Sequence, residues 1–226
     1  MIEYTVEDFF SKQLEVESTR ILLNEPAIFS TNVVKDYLCH LAKIELVKYL
    51  DCLKENPNIA EVTSKDITQL SNIDDCTINM CQIMLDCDNK GLSLKDIARL
   101  LHADRNYKDN LVALSKYGEN QVKTAAQLGL VTNVNDLLFL SAIGYIFPDE
   151  PKIIQNKYLA INMLRDPFYS KVILSLIKHD TNLKDFMNII SESTQKRRFS
   201  SCKRVLSFFK EQCVIEEVKI YNLTSK

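Results

Sequence analysis

Four glycines and five prolines in 226 residues leave this chain few places to turn tightly. A β-rich fold of this length needs many tight turns, and those two residues supply most of them. Their scarcity, with plentiful Leu, Ile and Lys, favours helices joined by short connections. The length suffices for one or two domains with a real core.

Apolar spacing places the elements. Residues 1–60 read as a helical N-terminal segment: Val6, Phe9, Phe10 and Leu14 form one stripe, and Thr31 to Leu53 forms a long helix ended by Asn56-Pro57-Asn58. Residues 61–150 carry a different rhythm. Thr63-Ser64-Lys65-Asp66 caps a short helix through Leu70, and Asp75 or Thr77 starts another. Asn89-Lys90-Gly91 stops it, and Ser93 with Asp96 caps a third from Leu94. A longer helix, about Lys108 to Leu128 with a break near Gly118, ends at Gly129. Two short strands, Leu130–Thr132 and Leu137–Leu140, flank the turn Asn133–Asp136. Pro148-Asp149-Glu150-Pro151 reads as a linker. Residues 151–226 repeat the order: a connecting helix Ile153–Leu164, helices from Phe168 and Leu183, and a polar stretch Ser193–Arg198. A third helix follows, capped by Ser200 or Ser201 and running to Gln212. Strands Val214–Val218 and Ile220–Leu223 then have Lys219 at their turn.

Charge is unevenly spread. Residues 1–60 hold six Lys/Arg against ten Asp/Glu, residues 61–150 hold eight against thirteen, and residues 151–226 hold fourteen against seven. Their net charges of −4, −5 and +7 make up the overall −2. A basic end on an acidic body is the electrostatic footprint of a chain that meets a polyanion. A lysine-rich solvated surface gives the same count without a ligand.

Three helices followed by strand, turn and strand is the order of a winged helix. The residues strengthen that resemblance. Ala125-Ala126-Gln127-Leu128-Gly129-Leu130-Val131 and Leu140-Ser141-Ala142-Ile143-Gly144 resemble the winged-helix pattern in which a third helix ends in Leu-Gly-Leu and the wing returns as Leu-Thr-x-x-Gly. Arg197-Arg198-Phe199-Ser200-Ser201-Cys202-Lys203-Arg204-Val205-Leu206-Ser207-Phe208-Phe209 resembles the Arg-Arg-x-x-Thr-x-x-Arg stretch of winged helices that accompany bacterial restriction and phage-defence proteins. Here Ser201 stands where Thr is usual, and Phe208 or Phe209 replaces a Trp. The resemblance spans about residues 75–223. It implies a mainly α chain of tandem winged-helix domains, 61–150 and 151–226, behind the helical segment 1–60.

A winged helix sets its third helix against the major groove. The expected duplex-DNA contacts are Lys196, Arg197, Arg198, Ser200, Ser201, Lys203, Arg204 and Lys219. In residues 61–150, Asn120 and Gln121 have the amides that read adenine, with Lys116 and Lys123 for phosphate, but Asp104, Asp109 and Glu119 surround them. There, protein packing is at least as good a reading. The resemblance implies a restriction or phage-defence component, or a transcription regulator. The competing reading is an adaptor that uses winged helices to bind proteins, and the acidic N-terminal half is the expected surface for self-association or a protein partner.

No catalytic set is present: no glycine-rich phosphate loop, no Gly-x-Ser-x-Gly, no His-Glu-x-x-His. Glu216-Glu217-Val218-Lys219 mimics a nuclease signature, but two strands of a wing cannot build its metal site. Cys76, Cys81 and Cys87, even with His102, lack zinc-knuckle spacing, and Asp86–Gly91 lacks the distal carboxylate of a calcium loop, where Ile97 stands. No enzyme activity, metal or cofactor is expected. The seven cysteines read as reduced core residues. No apolar run nears the roughly 20 residues of a membrane span, and the acidic start Met1–Asp8 lacks a signal pattern. The expected location is the cytoplasm, or the nucleus of a eukaryote.

Overall fold

The computed structural model describes residues 31–54, 70, 72–101, 110–177, 183–188 and 191–211. They are mostly helical and carry one small antiparallel sheet. They fall into two compact units. One gathers α1 (Thr31–Lys43) with the elements of residues 72–155, and the other gathers α2 (Leu46–Lys54) with those of residues 156–211. α1 and α2 thus fall in different units.

The long helix expected from Thr31 to Leu53 is two helices, broken at Ile44-Glu45. No Gly or Pro marks that break. The Ile44 carbonyl instead accepts a hydrogen bond from Lys157 Nζ at 2.9 Å, across 113 residues of sequence. Burial of the Lys157 ammonium lowers its pKa, an effect opposed by nearby Glu45.

In the unit of residues 72–155, α3 (Ile73–Cys76) starts at Asn72, whose side chain accepts from the Asp74 amide. α4 (Ile78–Asp86) buries Met80, Cys81 and Met84. The expected stop at Asn89-Lys90-Gly91 is a turn in which Asp88, Asn89 and Gly91 have φ of 56°, 51° and 83°. Leu92 then makes a one-residue antiparallel bridge to Leu138, with both N–H···O bonds at 3.0 Å. α5 (Leu94–Leu100) has the Ser93 cap, whose Oγ accepts from the Asp96 amide at 3.2 Å. α6 (Leu111–Gln127) runs unbroken through Gly118. That glycine is there for proximity: a Cβ would stand 2.3 Å from the Leu94 carbonyl oxygen, so α5 and α6 cross in near backbone contact. Tyr117 donates from its hydroxyl to Asp75, which also accepts from Asn72 and Asn79 at 2.8 and 2.9 Å, tying α6 to α3 and α4.

Gly129, at φ 73°, turns the chain out of α6 as expected. β1 (Val131–Val134) pairs with β2 (Leu137–Leu140), Val131 opposite Leu140 and Val134 opposite Leu137. The two-residue turn uses Asn135 and Asp136, both at positive φ, so β1 runs two residues further than the sequence suggested. Asn89 Oδ1 accepts from the Leu140 amide at 2.7 Å and fixes the first turn to the last strand. α7 (Ala142–Ile146) is capped by buried Ser141, whose Oγ donates to the Gly129 carbonyl at 2.6 Å and accepts from Gly144 N at 3.0 Å. The expected linker is not loose. Phe147–Asp149 is a turn of 3₁₀ helix, Phe147 is fully buried, and its carbonyl accepts from Gln155 Nε2 at 2.9 Å.

In the other unit every described element is helical: α2, most of α8 (Lys152–Leu164), α9 (Pro167–Ile177), α10 (Leu183–Met187) and α11 (Glu192–Glu211). Asp166 caps α9, accepting from the Phe168 and Tyr169 amides at 2.9 and 3.2 Å. α9 packs against α2 and α11. Tyr49, Leu50, Tyr158, Phe168, Tyr169, Val172, Val205 and Phe209 are buried in it. The expected helix at Thr63–Leu70 and the strands Val214–Val218 and Ile220–Leu223, with Lys219, lie outside the described residues, Leu70 itself excepted.

Candidate nucleic-acid interface

The basic helix begins nine or ten residues earlier than the sequence suggested. The Ser191 carbonyl accepts from the Gln195 amide at 2.9 Å, the first intrahelical bond, and Glu192 lies in the first turn, where the helix dipole favours it. Ser200 and Ser201 are therefore interior residues, not caps. Ser193–Arg198 are polar, but Glu, Gln, Lys and Arg are all good helix formers, and the stretch joins the helix.

The starting point sets the phase, and the phase decides which side chains face out. α11 buries Ser201, Cys202, Val205, Leu206, Phe208 and Phe209, a repeat of one and three to four residues that marks an amphipathic helix. Lys196, Ser200, Lys203, Arg204 and Lys210 are exposed, with Ser207 half-exposed among them. Lys196 pairs with Glu192 at 3.0 Å, both side chains at least 70% exposed, so the pair is weak and exchangeable. Among the described residues no carboxylate lies within ion-pair distance of Lys203, Arg204 or Lys210.

Two expected contacts change. Ser201 is 2% exposed and unable to meet a phosphate. Arg198, half-buried, stands four residues before Cys202 and seven before Val205, on the packed stripe. Its charge is felt by the buried Tyr169–Cys202 pair. Burial holds Tyr169 well above the usual tyrosine range and pushes Cys202 up to about 12. The Tyr169 hydroxyl and the Arg198 charge pull Cys202 back down, and Asp166 pushes it up. Arg197 falls within α11. Ser207 was missed in the sequence, though its seven-residue spacing from Ser200, and that of Lys196, Lys203 and Lys210, carries the signal.

The described residues of the other unit offer no comparable face. On α6, Lys116 is paired with Glu119 at 2.8 Å, and Gln121 is fully buried and not available to read adenine. The N-terminal turn of α6 exposes Leu111 at 53% and Val112 at 80%, where a groove-reading helix places polar groups.

Among the described residues no three His, Cys, Asp or Glu are grouped to hold a metal ion, and no helix is long and apolar enough to cross a membrane. Burial pushes Cys76 up to about 12 and raises Cys81 further, whereas Cys39 is exposed. The buried thiols stay protonated at pH 8, and the thiolate is the reactive form. Alkylation at pH 8, followed by peptide mass spectrometry, should modify Cys39 within minutes and leave Cys76, Cys81 and Cys202 intact until denaturant is added. Equal labelling of Cys39 and Cys202 in the native protein would contradict this packing.

Comparison with protein-family models, with curated proteins and with solved structures finds no match to this chain.

Proposed function

We propose that this protein is a non-enzymatic duplex-DNA-binding protein of tandem winged-helix units, and that the outward face of α11 makes the contact. The observation that carries the reading is the exposed row Lys196, Ser200, Lys203 and Lys210, with half-exposed Ser207 in it and Arg204 beside it, on the most basic part of the chain. Ammonium groups and hydroxyls on a helix surface suit phosphate oxygens. The winged-helix reading of residues 72–155 is supported by the Leu92–Leu138 bridge, which supplies the short strand between first and second helices. For residues 156–226 it rests on helix order and on the resemblance of Arg197–Phe209. That resemblance points to a bacterial restriction or phage-defence component or a transcription regulator, working in the cytoplasm, with the acidic N-terminal half holding a second copy or another protein.

The adaptor reading has one observation of its own: Leu111 and Val112, apolar and exposed at the head of α6, suit a protein neighbour better than DNA. The two readings separate on duplex binding by the purified chain. Four phosphate contacts give a slope of about −3.6 in log affinity against log salt, or about a hundredfold loss between 50 and 200 mM salt. Absence of duplex binding at the lower salt would leave the adaptor reading in place.

A further inference from the structure

The outward face of α11 is built for phosphates and poorly built for bases. Lys196, Lys203 and Lys210 are seven residues apart, which is about 10 Å of rise per step. Two heptads on a straight helix drift by only about 40°, so the three lysine positions form a nearly straight row about 21 Å long. Phosphates of one strand advance about 3.4 Å along the duplex axis per nucleotide, so each step of the row spans about three base pairs.

Reading base edges asks for different side chains. Guanine is read mainly by a bidentate guanidinium and adenine by a bidentate amide. Among the described side chains this face has no Asn or Gln, Arg198 belongs to the packed stripe beside Tyr169 and Cys202, and the exposed guanidinium of Arg204 lies about three turns into α11, away from the end that meets bases. The row itself is lysine, a flexible point charge that suits phosphate and fixes no base geometry. A reading helix also meets bases mainly near its N-terminus, whereas these cations continue to its last turn at Lys210. Glu192 and Glu211 sit at the two ends of the same face and would repel phosphates beyond it.

We infer that α11 binds the backbone of duplex DNA without regard to base sequence, over a footprint of about six base pairs. The inference rests on the duplex-binding reading above. It is tested with the full chain on AT-rich, GC-rich and mixed duplexes of equal length, together with selection from a randomised duplex pool. The expected result is affinities within about threefold of one another, one common salt slope and no enriched motif, since sequence-specific binders separate by about a thousandfold or more. An enriched motif, or one duplex bound about a hundredfold tighter than the rest, overturns sequence neutrality and leaves the DNA reading standing. Failure to bind any of the three duplexes at low salt overturns the DNA reading, and sequence neutrality with it.

Discussion

The double variant Lys203→Glu, Arg204→Glu should lose duplex binding by at least about a hundredfold at 50 mM salt, and its remaining salt slope should be shallower by about 1.8. Both side chains are exposed on α11, and no described carboxylate pairs with either. Reversal therefore removes two attractions and adds two repulsions without breaking a bond inside the fold. Stability should move by no more than about 0.5 kcal/mol, as for ordinary surface changes. Lys95→Glu, an exposed lysine on α5, serves as a charge-reversal control away from α11 and should bind within about twofold of the wild type. Fluorescence anisotropy across a salt series measures both quantities. Unchanged affinity in the double variant, with an unchanged circular dichroism spectrum, would remove α11 from the interface.

Gly144→Ala should cost more stability than Gly118→Ala, whose added Cβ meets a backbone oxygen at the longer distance of 2.3 Å. At Gly144 the new Cβ would stand 1.9 Å from the Leu130 carbonyl oxygen and 2.9 Å from its carbon. Backbone cannot yield easily here. The Leu130 carbonyl accepts from the Ser141 amide at 3.0 Å, and Ser141 Oγ holds both the Gly129 carbonyl and the Gly144 amide. Overpacking against a fixed wall costs about 3 kcal/mol, or a fall of roughly 10–20 °C in Tm for a unit of this size. Differential scanning calorimetry reads it directly. A shift of under about 2 °C would mean that α7 does not lie against the start of the hairpin.

Much of the fold was legible because its signals are local. Ser93 with Asp96 caps α5, Gly129 leaves α6 at positive φ, and the Asn133–Asp136 segment contains the hairpin turn. The misreadings share a cause in distance. The break at Ile44 involves a lysine on α8, and the strand at Leu92 is one residue long and has no periodicity to detect. Gly118 suggested a break because a glycine inside a helix weakens it, but here it admits the Leu94 carbonyl. For α11, the polar run Ser193–Arg198 passed as a connection. Once the helix start is misplaced, Ser201 reads as a cap and Arg198 as an open cation. The spacing back from Val205 and Phe208 places both on the packed side.

The tie between Asn89 and Leu140 spans 51 residues, and the Leu92–Leu138 pair crosses nearly the same stretch. Everything between them, α5, α6 and the hairpin turn included, is a closed loop in the native state. Closing a loop of that length costs conformational entropy before the contacts inside it return anything. Helices α5 and α6 can form within microseconds, yet the sheet edge waits for the whole excursion to return on itself. The meeting of this unit's first turn with its last strand therefore cannot precede the release of Leu140 from a ribosome.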